Sequence, residues 1–336
     1  MPFPLPQAHS PPKAWRRKAS VLLRILFFGA SVAFLVHFAS GFANADELRG
    51  IQRDTYVAIG IAVLLISLTS AMSAVAWGML LVGLSCHVAV VQSVAVFLTT
   101  QIAKYLPGNV GHYVGRVALA RTRLGVPSAP AILSLLHEAG LACAGALFVG
   151  LGLYCFLPDG TLHGVTRADS YTAFLLFAAM LIGVILAAEM LRRRFKLHRA
   201  LIRKLVDAIP RLHSSLRALP LYVAGYALVG IAAVVIAASL VPLQARDGAL
   251  ICGAYSLAWI IGFLIPGAPG GLGVRESALV LLLADTFPKE VVLLIALLAR
   301  VASVGADVLA FIIGLLLIRK VQPDANLSSS PKQDPS

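Results

Sequence analysis

Two arginines stand at matching places in this chain, and each follows a break in an otherwise apolar stretch. The first break reads Pro107-Gly108-Asn109-Val110-Gly111 and leads to Arg116. The second reads Pro266-Gly267-Ala268-Pro269-Gly270-Gly271-Leu272-Gly273 and leads to Arg275. Both carry P-G-x-x-G and place the arginine nine residues after the proline. Guanidinium forks match phosphate, so the chemistry these two side chains suggest is the holding of an anionic head group.

Other ionisable residues fall inside apolar runs, where charge is costly and either binds or pairs. Glu138 lies eleven residues after Pro127, Arg300 twelve after Pro288, and Asp307 seven after Arg300. Arg300 and Asp307 share a helix face but sit about 10 Å apart along the axis, so each needs a partner on another helix. Glu138 is expected to pair with Arg275 or Arg300. Glu276, beside Arg275, could neutralise it or carry a proton. Internal pairing that only fixes helix packing stands as the alternative for all of them. His137 reads as a helix-packing histidine; Lys104 and His112 flank the first break and are placed at the interface.

The elements that must position these groups are membrane helices. Hydrophobic residues make up 59% of the 336 and charged residues 13%, about half of what a soluble domain carries. The net charge of +13 is not a nucleic-acid footprint, because the positives cluster in short loops between apolar runs. The four cysteines (Cys86, Cys143, Cys155, Cys252) lie in or beside apolar runs without a CxxC pair, so neither zinc nor a disulfide framework is indicated.

Six runs are long enough to cross a bilayer: 21–42, 56–83, 129–157, 171–190, 218–242 and 290–318. The first is longer than a signal-peptide core, so an uncleaved helix is expected, although Ala43-Asn44-Ala45 resembles a cleavage site. Two further runs, 86–103 and 248–266, end in the Pro-Gly breaks. Of the 28 Lys and Arg residues, 19 fall in the N-terminus, the 121–123 turn, the 191–217 loop and the tail, and five in the alternate loops. That asymmetry puts both termini in the cytoplasm. The 192–217 loop reads either as an interfacial helix on anionic head groups or as a solvated loop. The tail from 321 has a disordered composition.

Proline and glycine stop a straight helix at each break. Broken backbone at membrane depth survives only where protein or a water-filled cavity satisfies it. Each break follows an apolar run and precedes a proline (Pro127, Pro288) that leads into a long span. Two re-entrant hairpins separated by three spans would enter from opposite faces, an inverted repeat of the kind that marks transporter sites. Ordinary interfacial turns are the alternative. Enzyme signatures are missing: His137-Glu138 is followed by Leu141 where a zinc protease needs histidine, and no GxSxG or Walker A occurs. No catalytic residue, metal or cofactor is expected.

The segments KYLPGNVGHYVGR (104–116) and PGAPGGLGVRES (266–277), the latter preceded by Ala258-Trp259, resemble the signature segments of the lysylphosphatidylglycerol synthase transmembrane family. The resemblance covers about residues 20–320. It implies a flippase-like domain that moves a lipid or lipid-linked head group between leaflets of a bacterial inner membrane. The family's soluble synthetase domain is not expected here, since the chain ends soon after Lys320. Stand-alone relatives are associated with glycolipid, polyprenyl-linked sugar or hopanoid pathways. Binding roles carry over only to Pro107, Gly108, Gly111, Arg116, Pro266, Gly267, Gly270, Gly271, Gly273, Arg275 and Glu276, which match the segments.

The expectation is therefore an all-α polytopic protein: a cytoplasmic basic segment over 1–20, a membrane domain over 21–320 and a tail over 321–336. The membrane domain holds about six full spans and two re-entrant hairpins. Its function is translocation of an anionic or polyprenyl-linked lipid, with Arg116, Arg275, Glu276, Glu138 and Arg300 as candidate binding residues. The alternatives are a membrane-embedded transferase on a prenyl-phosphate donor, with Glu138 or Glu276 as base, and an accessory subunit of a lipid- or glycan-modifying complex. Lipid- or glycan-modifying enzymes and a second copy of the chain are the protein partners considered.

Overall fold

The computed structural model describes residues 53–105, 111–155, 172, 175, 179, 212–264, 271 and 273–320. The expected first span, nearly all of the 171–190 span, the basic loop up to 211, the tail, and Pro107, Gly108, Pro266, Gly267 and Gly270 lie outside the described residues. Every described element is helical. In chain order they are α1 (Arg53–Gly83), α2 (Val90–Thr100), a 3-10 turn (Gln101–Tyr105), α3 (Gly111–Leu124) and α4 (Ser128–Tyr154). Then follow α5 (Leu212–Ala238), α6 (Ala245–Leu264), α7 (Val274–Leu283) and α8 (Lys289–Ile318).

Five of these, α1, α4, α5, α6 and α8, are long and apolar enough to cross a membrane. The chain is thus an all-α polytopic membrane protein. Two bounds differ from expectation. α5 begins at Leu212, inside the loop read as basic and cytoplasmic, and Pro220 is carried within its first three turns. α6 reaches about 30 Å at 20 residues, enough to span, whereas its counterpart α2 has only 11. The long helices after the breaks start where expected, with Pro127 and Pro288 as N-cap residues in nearly the same conformation (φ −58°, ψ 150° and φ −54°, ψ 140°).

The packing is reciprocal. α1 lies against α5; α2 against α8 as α6 lies against α4; α4 against α5 as α8 lies against α1. The neighbours α1–α2, α2–α3, α3–α4 and α1–α4 match α5–α6, α6–α7, α7–α8 and α5–α8 in the same way. Exchanging α1–α4 for α5–α8 therefore maps the principal helix contacts onto themselves. The central pair is antiparallel. Ala62, with Ile59 and Val63, packs in one cluster with Ala232, Ala233, Ile236 and Ala237. Ala76 and Leu80 share another with Ala218, Tyr222 and Tyr226.

Small residues bring these helices together, as expected where lipid gives apolar side chains no reason to associate. A Cβ at Gly145 would meet the Tyr222 backbone at 2.9 Å, and one at Gly150 the Leu257 side chain at 2.6 Å. At Gly314 it would overlap the Leu98–Thr99 backbone of α2. The outward faces of α1 (Leu64, Leu68) and α8 (Val301, Val308, Ile312, Leu316) are apolar and exposed, which suits contact with lipid tails.

Gly314→Ala should accordingly cost about 1–3 kcal/mol, because α2 offers backbone and not a movable side chain. Gly60→Ala, whose Cβ would meet nothing within 4 Å, is the control and should leave stability unchanged or slightly raised. Thermal unfolding of the detergent-solubilised variants reads the difference. Equal midpoints would mean that the α2–α8 approach is not as close as described.

Candidate binding site at membrane depth

Arg116, on the second turn of α3, is 1% exposed. Its Nη1 donates to Glu138 Oε2 of α4 at 2.5 Å. Its guanidinium lies 3.8 Å from the centre of the Phe97 ring and 5.4 Å from that of Trp77, with Tyr113 at 6.0 Å. Trp77 is fixed in turn by a hydrogen bond from Nε1 to Ser134 Oγ at 2.9 Å. This is a closed pair: one buried carboxylate against one buried guanidinium, with aromatic rings beside it and Arg116 Nε left without a hydrogen-bond partner. Glu138 thus pairs with neither Arg275 nor Arg300. The turn at Gly125–Pro127 folds α3 directly onto α4, and that brings Arg116 to it first.

The second half holds the same arrangement with the charges exchanged. Glu276, on the first turn of α7, accepts a hydrogen bond from Arg300 Nε of α8 at 2.8 Å. In both halves a short helix after the break is tied to the middle of the long helix that follows it. α7 starts at Gly273, whose φ of 79° suits glycine and which offers no side-chain cap. Gly111 is the first residue of α3.

Arg275 is different. It is half-buried, and among the described residues it forms no ion pair. Its stem threads between Gly262 of α6 and Gly271, where an added Cβ would collide with its methylenes. Gly271 also has a φ of 71°. The guanidinium lies 5.6 Å from the ring centre of Tyr255. Arg275, Glu276 and Arg300, with Tyr255, Ala258, Leu279 and Ala296, line a small cavity of about 10 Å³, room for about one water molecule.

A third polar contact crosses between the halves. Asp307 of α8, 1% exposed, accepts from Lys104 Nζ at 2.6 Å and from the Tyr105 hydroxyl at 2.5 Å. Lys104, read from the sequence as interfacial, is half-buried and held by this acid. His112 lies tilted against Tyr113, ring centres 3.8 Å apart, and His137 bonds the Leu133 carbonyl of its own helix, the packing role expected of it. Among the described residues no cluster of His, Cys, Asp and Glu could hold a metal, and the four cysteines are free. Tyr105, Tyr255 and the Phe97–Trp77 wall are absent from the sequence-derived set; nothing in an apolar helix sets such aromatics apart.

The depth charges now sum simply. Among the described residues, Lys104, Arg116, Arg275 and Arg300 face Glu138, Glu276 and Asp307, four positives to three negatives. Three pairs cancel, and the charge left over is that of Arg275.

Together these features define a polytopic helical membrane protein with a charged internal site. The chain belongs to the family described as the lysylphosphatidylglycerol synthase TM region, whose model matches residues 21–313. That places it among membrane proteins related to lipid modification or translocation. A comparison with curated proteins gives no match.

If the closed pair is structural, Arg116→Met should destabilise the protein by about 3–5 kcal/mol by stranding Glu138. The double variant Arg116→Met/Glu138→Leu should recover most of that loss. Detergent-phase melting of the two variants checks this, and a double variant no more stable than the single one would count against a closed pair.

Proposed function

We propose that the protein translocates an anionic phospholipid or lipid-linked head group between leaflets, without catalysing a reaction on it. Arg275 is the residue that holds the charge. The observation that carries this reading is the surplus guanidinium facing the cavity. An unpaired cation at membrane depth is expensive, and an arriving anion is the partner that removes the cost. The uncapped first turn of α7 beside it adds backbone N–H groups that favour an anion. Of the two arginines singled out by the repeated motif, Arg275 is the one without an acid among the described residues; the charge of Arg116 is already paired with Glu138.

The same reading takes the two halves as an inverted repeat, with the broken segments entering from opposite faces of a bacterial inner membrane and both termini cytoplasmic. Reciprocal packing supports it, because a two-fold that exchanges the antiparallel helices α1 and α5 runs across them, in the plane of the membrane. Tails stay in lipid while the head group crosses through the polar interior. The driving force is a lipid gradient, an ion or the membrane potential.

Reconstitution in liposomes tests the function. Exchange of a tail-labelled phosphatidylglycerol should fall at least about tenfold with Arg275→Ala and less with Arg275→Lys, which keeps the charge but not the fork. No exchange of any anionic or polyprenyl lipid, together with product formed from a sugar donor, would turn the reading toward a transferase. Topology has a separate readout. Single cysteines at Arg123 and Thr286 should label from opposite faces of sealed vesicles; labelling from one face would end the inverted-repeat model.

A further inference from the structure

Glu276 does more than neutralise Arg300. Its residue surface is 8% exposed, and its two carboxylate oxygens are treated differently. Oε1 accepts from Arg300 Nε at 2.8 Å. Oε2 is buried without any hydrogen-bond partner. It belongs to a residue that lines the same cavity as Arg275, its neighbour on the first turn of α7.

An ionised carboxylate can only accept hydrogen bonds, so Oε2 is satisfied only by a donor. Phosphate oxygens cannot serve, since they are acceptors and would be repelled. A buried acceptor left unmet is costly, and the cost is recovered when a ligand supplies the missing donor. The cavity therefore presents two unlike demands side by side: a guanidinium that needs an anion and a carboxylate oxygen that needs an O–H or N–H.

Resting on the translocation reading above, we infer that Glu276 is a specificity-determining residue. It selects head groups that carry a hydroxyl or amine donor next to the phosphodiester held by Arg275. Lipids with a bare phosphodiester satisfy Arg275 and leave Oε2 empty, and they bind more weakly. The paired demand also explains why α7 places the two residues in succession: consecutive side chains lie about 100° apart around a helix, so one reaches the phosphate and the other the substituent beyond it.

The test compares two lipids of equal charge, phosphatidylglycerol with two hydroxyls and phosphatidylethanol with none. Affinity for the protein in nanodiscs should favour phosphatidylglycerol by on the order of tenfold, the size expected for one hydrogen bond to a charged group. Glu276→Gln should shrink that preference several-fold, with its melting curve recorded because Arg300 loses a partner. Arg275→Ala should lower both affinities together and leave the preference in place. Equal affinities in the wild-type protein overturn the inference, and need no variant to do so. If both lipids also exchange in liposomes, translocation stands and only the donor selection falls. If neither lipid binds, the anion site itself is wrong and both ideas fall. A preference that survives Glu276→Gln unchanged assigns selection to some other residue and likewise overturns it.

Discussion

A charge carried into the apolar interior of a membrane protein has to be answered there, because no water is at hand to answer it. That constraint organises this molecule more than any single helix does. Seven ionisable side chains sit among the described helices at depth, and six of them are matched in three pairs. Removing one member of such a pair leaves a buried charge worth several kcal/mol of instability, so the pairs act as fixed joints. Two joints tie a short helix to the long helix that follows it. The third, from Lys104 and Tyr105 to Asp307, ties the first half to α8 of the second.

Those joints work only because the helices around them come close. Gly145, Gly150 and Gly314 remove the side chains that would hold α4 from α5, α4 from α6 and α8 from α2. The apolar surface left over on α1 and α8 faces outward. A core assembled in this way is small-residue backbone contact with a few polar cross-links, and its dry character raises the strength of each link. It also leaves little empty space, and the cavity at Arg275 is narrow for that reason.

Much of this was legible in the sequence, and the parts that were not have a common cause. Apolar length fixed α1, α4 and α8 within a few residues, and Pro127 and Pro288 marked two starts that the structure places at the N-cap. The repeated P-G-x-x-G context pointed to two halves, and the reciprocal helix contacts agree with two halves. Partner choice was not legible. Glu138 looked equally able to reach Arg275 or Arg300, because spacing gives depth along a helix and says nothing about which neighbour lies across from it. The fold of α3 back onto α4 decides that, and it depends on the turn at Gly125. Hydropathy misplaced the start of α5 for a related reason: His213, Ser214, Ser215 and Arg217 are polar, yet they continue a helix that its apolar remainder already specifies.

The asymmetry between the halves follows from one reversal of sign. Both motifs put an arginine nine residues after the break, and both long helices carry an ionisable residue at nearly the same depth. In the first half that residue is Glu138, which takes Arg116 and closes the pair. In the second it is Arg300, which can only repel Arg275 and must find an acid elsewhere. Glu276, the next residue along α7, supplies it. The arginine of the motif is thereby released from pairing, in a scaffold otherwise packed like its twin. Both halves keep a joint, the second also leaves its motif arginine without an acid among the described residues, and the difference lies in the sign of a single side chain on α8.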